Sequence, residues 1–414
     1  MKTYLDKNVY EAALERIAYC FQEFDNVLVA FSGGKDSGVL LNLCYNYADE
    51  HGLLDKLTMY HLDYEAQYQM TTEYVTRTFL EQFPGIRKMW YCVPIKAQSA
   101  CALGEPYWTP WDAAKKKLWV RAMPENPYVV HEGNLDVPFR HGMVDYEFQD
   151  KLSRHFAKKR GTTAVMVGLR ADESLNRYAA VARGKKRRSY EGRKWITQTS
   201  AVTANVYPLY DWRVSDIWTA TARFGFDYNR LYDLLYQAGL TAGQMRVASP
   251  FNDCAQESLK LYKVIDPSNW ARMIGRVNGV NFTGLYGGTT AMGWKTIKLP
   301  PGHTWKSYYE FLLSTMDART AAHYNNILEK SKRYWMQGGT VDPGTADEVL
   351  AAYPLAAVTG KSGRYDGRDI VQFMGYPDDM PVSNFRQVPS YKRMCICIMK
   401  NDYFCRYAGF KIGR

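Results

Sequence analysis

The chemically most telling residues of this chain are Ser32-Gly33-Gly34-Lys35-Asp36-Ser37. They follow the apolar run Asn26 to Phe31. They precede Val39, Leu40, Leu43 and Tyr47, which recur at helical spacing, so they form a strand-to-helix turn. Two glycines let a backbone approach a ligand and adopt positive φ without penalty. The amides of the turn and of the helix start then make a nest for anionic oxygens. Lys35 adds a point charge, and Ser32 and Ser37 add hydroxyl donors. Asp36 would be odd in a pure anion site, but it can hold Mg²⁺ against phosphates. The G-x-x-x-x-G-K-S/T spacing of the other common phosphate loop is absent. The bland alternative is a glycine-rich turn with a surface lysine.

Three later clusters also sit at the ends of apolar runs. His61-Leu62-Asp63-Tyr64-Glu65 ends the second run, and Gly168-Leu169-Arg170-Ala171-Asp172-Glu173-Ser174, followed by Arg177, ends the fourth. The last cluster is Pro208-Leu209-Tyr210-Asp211-Trp212 with Asp216-Ile217-Trp218. Arg170 and Arg177 lie at a strand–helix junction from which both can reach a phosphate or sulfate. Glu173 is a poor phosphate ligand and reads as a partner of Arg170 or of the loop. Asp63 reads as a metal ligand for Mg²⁺, a ribose partner or a helix N-cap. Trp212 and Trp218 read as core.

The elements that must position these groups are legible from periodicity. Strands are expected at Asn26 to Phe31, Leu57 to Leu62, Lys88 to Val93, Ala164 to Gly168 and Asn205 to Leu209. Helices are expected at Ser37 to Tyr47, Thr71 to Gln82, Tyr146 to Arg160 and Val214 to Ala222. An irregular stretch from Lys96 to Gly142 carries Trp108, Trp111 and Trp119. This alternation implies an α/β fold with a doubly wound parallel sheet, whose ligands bind outside the carboxyl ends of the strands. Past Gly239 the alternation fades, and helices near Trp305 to Met316 and Ala318 to Trp335 mark a mainly helical C-terminal extension. The expected division is 1–240 for the nucleotide domain and 241–414 for a second domain.

Taken in this order, the four clusters resemble the signature of the N-type ATP pyrophosphatases and the phosphoadenosine phosphosulfate reductase family. They span roughly 190 residues. The resemblance implies an adenine nucleotide α-hydrolase-like fold and ATP or a related adenine nucleotide as ligand. It also implies chemistry at the α-phosphorus, with Lys35, Asp36 and Arg170 as catalytic candidates. Ser32, Gly33, Gly34, Ser37, Asp63, Gly168, Glu173 and Arg177 complete the implied nucleotide site. The whole chain also resembles the immunoglobulin-binding regulator A group, which implies a regulatory or phage-related role and a small partner similar to ParB and sulfiredoxin.

Charge adds a further candidate. The chain of 414 residues carries a net +11, which suits a phosphate-rich partner. Arg183 to Lys194, RGKKRRSYEGRK, holds seven basic residues and one acid. In the sulfate-reducing members of the family the equivalent basic residues grip an extra phosphate, which makes Lys185, Arg187 and Arg188 candidates. A nucleic-acid contact and a solvated surface are the alternatives.

The reductases finish with a Glu-Cys-Gly-Leu-His element that is missing here. Instead Cys395-Ile396-Cys397 and Cys405 stand in the frame KRMCICIMKNDYFCRYAGF. Three thiolates there can bind Zn²⁺ if His or Cys254 supplies a fourth ligand, and a buried strand with reduced cysteines is the plainer expectation. No apolar run is long enough to span a membrane and no signal peptide is evident, so a cytoplasmic protein is expected. Three functions follow: an α-phosphorus enzyme, a thiol-dependent reductase of phosphoadenosine phosphosulfate, and a nucleotide-sensing, DNA-associated regulator without turnover.

Overall fold

The computed structural model describes residues 6–102, 104–182, 189–247, 249–252, 255–256, 258–289, 297–363 and 367–405. The chain divides into two compact units. One comprises residues 1–99 and 107–281, the other 100–106 and 282–414.

In the first unit, α1 (Val9–Glu23) starts on an Asn8–Glu11 capping box. β1 (Asn26–Ala30) runs into α2 (Lys35–Glu50). β2 (Leu57–Leu62), α3 (Gln69–Glu81) and β3 (Arg87–Cys92) follow. The expected irregular stretch contains a small hairpin, β4 (Ala97–Gln98) with β5 (Tyr107–Trp108), and a short strand β6 (Val129–His131). Then come α4 (Asp145–Arg160), β7 (Thr163–Val167), α5 (Leu175–Ala182), β8 (Ser189–Tyr190), β9 (Arg193–Gln198) and β10 (Thr203–Val206). α6 (Val214–Phe224) and α7 (Leu231–Gln237) complete the alternation.

The main sheet has the order β6-β3-β2-β1-β7-β10-β9-β8. The first six strands pair in parallel, whereas β9 and β8 pair antiparallel. The sheet is therefore mixed and mostly parallel, as the expected doubly wound α/β fold requires, with an antiparallel edge added by β8 and β9. Residues 189–198 form an antiparallel hairpin on its edge, which needs no crossover helix. The order reverses between β1 and β7, placing the loops after Ala30 and Val167 on the two sides of a switch point. Two apolar layers flank the sheet. One joins Val27, Val29, Leu40, Phe79, Trp90 and Trp212, and the other joins Leu28, Tyr60, Tyr91, Phe148 and Val165.

The second unit contains the expected helices, Trp305–Ser314 and Ala318–Gly338. It also holds an unexpected three-stranded antiparallel sheet in the order β11 (Gly339–Val341), β13 (Asp369–Phe373), β12 (Ala356–Lys361). Cys395 and Cys397 lie on a helix, Tyr391–Met399, and not on a strand. Ser390 caps that helix through the Arg393 amide, and most of its surface is buried, so alternating apolar residues do not report a period of two there.

Candidate active site

The turn after β1 is built as its residue types require. Gly33 has φ +75°, and a Cβ there would lie 2.9 Å from Val75 Cγ2. Asn229 Nδ2 holds the Gly33 carbonyl at 3.2 Å and donates to Thr71 Oγ1 at 2.9 Å. The two serines secure each other. Ser37 Oγ accepts from Ser32 N at 3.1 Å, lies 3.0 Å from Ser32 Oγ and donates to the Gly34 carbonyl at 3.0 Å. Gly34 opens α2 as an N-cap with no side chain, so no capping side chain occupies the first amides of the helix.

Lys35 is buried, and its donors already have acceptors. Its amide donates to Tyr232 Oη at 3.1 Å, and its Nζ donates to the Met245 carbonyl at 3.1 Å. Asp36 Oδ2 stands 3.3 Å from the same Nζ. Burial pushes the Lys35 pKa down, Arg170 adds to this, and Asp36 opposes it.

Gly168 and Arg170 bring the end of β7 to the same point. A Cβ on Gly168 would lie 3.0 Å from the Asp36 carbonyl and from Ser37 N, so only glycine lets the two segments meet. Arg170 is buried. Its Nε donates to Asp36 Oδ1 and its Nη1 to Asp172 Oδ1 at 2.6 Å. Burial opposes its charge, but Asp36 and then Asp172 outweigh burial and hold the guanidinium above its ordinary range.

Glu173 pairs with Arg177 at 2.7 Å and with Arg246 at 3.6 Å, so it holds those two arginines and not Arg170. Arg246 also donates to the Glu173 carbonyl at 3.1 Å. The segment around 245–247 is thus fastened on both sides of the loop. The recess that it shares with Thr71, Tyr68 and Tyr262 measures only about 30 Å³.

Asp63 and Glu65 do different work from the loop. Asp63 is fully buried. It accepts from Trp90 Nε1 at 2.8 Å, from Arg121 Nη2 at 2.6 Å and from the Glu65 amide at 2.8 Å. Burial pushes its carboxyl up, but the Arg121 charge, His61 and the hydrogen bonds from Trp90 and Arg121 together outweigh burial and take it below the usual range. Glu65, with φ +65°, accepts from Arg276 Nε at 2.8 Å and from the amides of Trp111 and Val120 at 2.7 and 3.0 Å.

The expected Mg²⁺ pair therefore does not fit a protein-held ion. The oxygens of Asp63 are taken by protein donors, and those of Asp36 face Arg170 and Lys35. The Zn²⁺ expectation does not fit either. Cys395, Cys397 and Cys405 are buried among Tyr309, Tyr324 and Met394. Cys395 Sγ donates to the Trp305 carbonyl at 3.4 Å, and the free thiols of Cys397 and Cys405 are hydrogen-bonded to each other. Burial pushes the Cys395 thiol up. Among the described residues no cluster of three or more His, Cys, Asp or Glu is placed to hold a metal.

Trp212 is buried and donates to the Val9 carbonyl at 2.9 Å, while Trp218 packs edge-on against Tyr228 and Tyr232. Lys185, Arg187, Arg188 and Cys254 lie outside the described residues. The residues missing from the sequence-based site are Tyr232, Met245, Arg246, Asn229 and Asp172. Of these only Asp172 stood inside a motif. No helix among the described residues is long and apolar enough to cross a membrane.

Two family models match the chain. The phosphoadenosine phosphosulfate reductase domain covers residues 26–238, and a domain of unknown function, DUF3440, covers 239–414. The chain is 31% identical over 411 residues to the uncharacterized protein YbdN of Escherichia coli (strain K12), across 98% of this chain and 91% of that protein. Among solved structures it is similar to the phosphoadenylyl-sulfate reductase of Candida auris in a phosphate complex. That likeness has 14% identity and a TM-score of 0.33, covering 60% of this chain and 97% of the other. It is also similar to the NH3-dependent NAD synthetase of Campylobacter jejuni, with 10% identity and a TM-score of 0.26, covering 71% of this chain and 100% of the other.

Proposed function

The chain belongs to the phosphoadenosine phosphosulfate reductase domain family, and on that premise we propose that it binds an adenine nucleotide at Ser32–Ser37 and acts at its α-phosphorus. In this reading an acceptor nucleophile attacks the α-phosphorus, the bond to the bridging oxygen of the β-phosphate breaks, and pyrophosphate leaves. The observation that carries the proposal is the convergence of buried Lys35 and buried Arg170 on Asp36 at the first turn of α2. Two cations and a glycine nest then serve one anion outside the strand ends.

Each group has a defined task. The α2 amides bind phosphate oxygens. Lys35, released from the Met245 carbonyl, offsets charge on the departing pyrophosphate. Arg170, held by Asp36 and Asp172, offsets charge that builds at the α-phosphorus. Binding requires the Tyr232 hydroxyl and residues 245–247 to give way, since the adjoining recess of about 30 Å³ is far below nucleotide size. Lys185, Arg187 and Arg188 belong to the same proposal as further phosphate contacts. If they serve the nucleotide, replacing 185–188 with alanine weakens its binding. If they serve nucleic acid, it flattens the salt dependence of that binding instead.

Reduction by a thiol of this chain is the weaker reading. The Glu-Cys-Gly-Leu-His element is missing, and Cys395, Cys397 and Cys405 are buried away from any reacting partner. The test incubates the protein with ATP and, separately, with phosphoadenosine phosphosulfate. Pyrophosphate released from ATP by the native chain but not by Gly34→Val supports the α-phosphorus reading. Sulfite formation would replace it with the reductase reading, and tight ATP binding without pyrophosphate with the sensor reading.

A further inference from the structure

A cleft of about 1090 Å³ opens at the carboxyl ends of β3 and β6, and none of residues 32–37 lines it. Cys92 and His131 come from those strands, Trp119 and Arg121 from the stretch after β5, and Asn269 and Arg272 from the helix Pro267–Arg276. A volume of this size holds a nucleotide-sized molecule and is too large for a lone phosphate or sulfate.

The lining chemistry selects the ligand. Lys115, Lys116 and Lys117 stand exposed in a row on the 3-10 turn Ala113–Leu118, and Lys116 lines the cleft together with exposed Arg272. The acids that line it are Glu125 and Glu132, and Glu132 lies 2.7 Å from His141 Nε2. The cleft is thus biased towards an anion.

Trp119 supplies a flat surface that is already fixed. Its indole donates to the Asp112 carbonyl at 2.9 Å, and its ring meets Trp111 edge-on at 5.1 Å. Lys116 Nζ stands 5.8 Å from the Trp119 ring centre, so a cation and a stacking face are adjacent. Arg121 lies 5.0 Å from the Trp111 ring centre, anchored by Asp63. Its Nε is buried without an acceptor among the described residues, which leaves a bond to be made when a ligand or water enters.

We propose that this cleft is a second ligand site, separate from the Ser32–Ser37 loop, that takes a nucleotide unit. The flat ring stacks on Trp119 and the phosphate meets Lys116 and Arg272. The same chemistry is offered by a free mononucleotide and by a nucleotide within a single strand. The site does not depend on what the loop does with its own ligand.

The test uses the full chain carrying Gly34→Val, which closes the loop, and follows tryptophan fluorescence during titration. The probes are AMP and a short 5′-phosphorylated single-stranded DNA. Saturable quenching is expected in this chain. Trp119→Leu, and separately Lys116→Ala with Arg272→Ala, should each weaken it about tenfold while the melting temperature holds. A DNA probe that binds tighter than AMP and loosens with salt assigns a strand as the source, and equal affinities assign the free nucleotide. No saturable binding of either probe, or binding that survives all three substitutions, overturns the proposal.

Discussion

Lys35 Nζ donates to the Met245 carbonyl at 3.1 Å, so the cation best placed for a nucleotide's phosphates is held by a segment 210 residues further along the chain. Tyr232 completes the arrangement by taking the Lys35 amide. Both contacts fill positions that the proposed function gives to phosphate oxygens.

Removing one of these competitors should favour the ligand. Tyr232→Phe deletes the hydroxyl on the Lys35 amide and keeps the ring that supports the Lys35 ammonium. We expect ATP affinity to rise about fivefold and the ligand-free protein to lose about 1 kcal/mol of stability. Calorimetry together with thermal melts checks both. An affinity that falls would mean the hydroxyl assists the ligand and does not compete with it.

The pH dependence has a definite sign. Burial lowers the Lys35 pKa in the free protein. Bound phosphates would favour the charged form and raise it. Between the lowered free value and the raised bound value, binding takes up a proton, and affinity falls as pH climbs through that window. Titrations in buffers of different ionisation enthalpy should show proton uptake that grows with alkaline pH and vanishes in Lys35→Ala.

Asp63 should behave as a structural anchor. Asp63→Ala leaves the partly buried Arg121 guanidinium without its counter-ion and should cost about 3 kcal/mol of stability. Because the folded carboxyl sits below its usual range, its contribution is present above about pH 4 and is lost as pH falls below that. Chemical denaturation against pH reads this directly. In Asp63→Asn that part of the acid dependence should be missing.

The central strands could be read from sequence because burial on both faces makes Val27 to Ala30, Leu57 to Leu62 and Thr163 to Val167 mostly apolar runs. The edge strands were not legible. Val129–His131 has three residues, and Arg193–Gln198 is rich in polar side chains that an antiparallel edge tolerates. In the second unit, Ala356–Lys361 is mostly exposed and carries no clear alternation.

The site followed the same logic. Ser32–Ser37, Gly168 and Arg170 were legible because strand ends and glycines fix them locally. Tyr232, Met245 and Arg246 were not, because only the tertiary fold brings them to the loop. Glu65 and Arg276, 211 residues apart, form a buried pair that ties the helix Pro267–Arg276 to the segment after β2 within the first unit. No periodicity announces such a pair.

The most direct measurement is the ATP affinity of Gly34→Val and Lys35→Ala by calorimetry, with circular dichroism confirming the fold. A Cβ on Gly34 would sit 3.3 Å from both Ser32 Oγ and Tyr232 Oη, and a larger side chain closes the nest. Lys35→Ala removes the buried charge. The account predicts that the native chain binds ATP and that each variant loses at least tenfold in affinity, about 1.4 kcal/mol or more. Native affinity for ATP in both folded variants would contradict it.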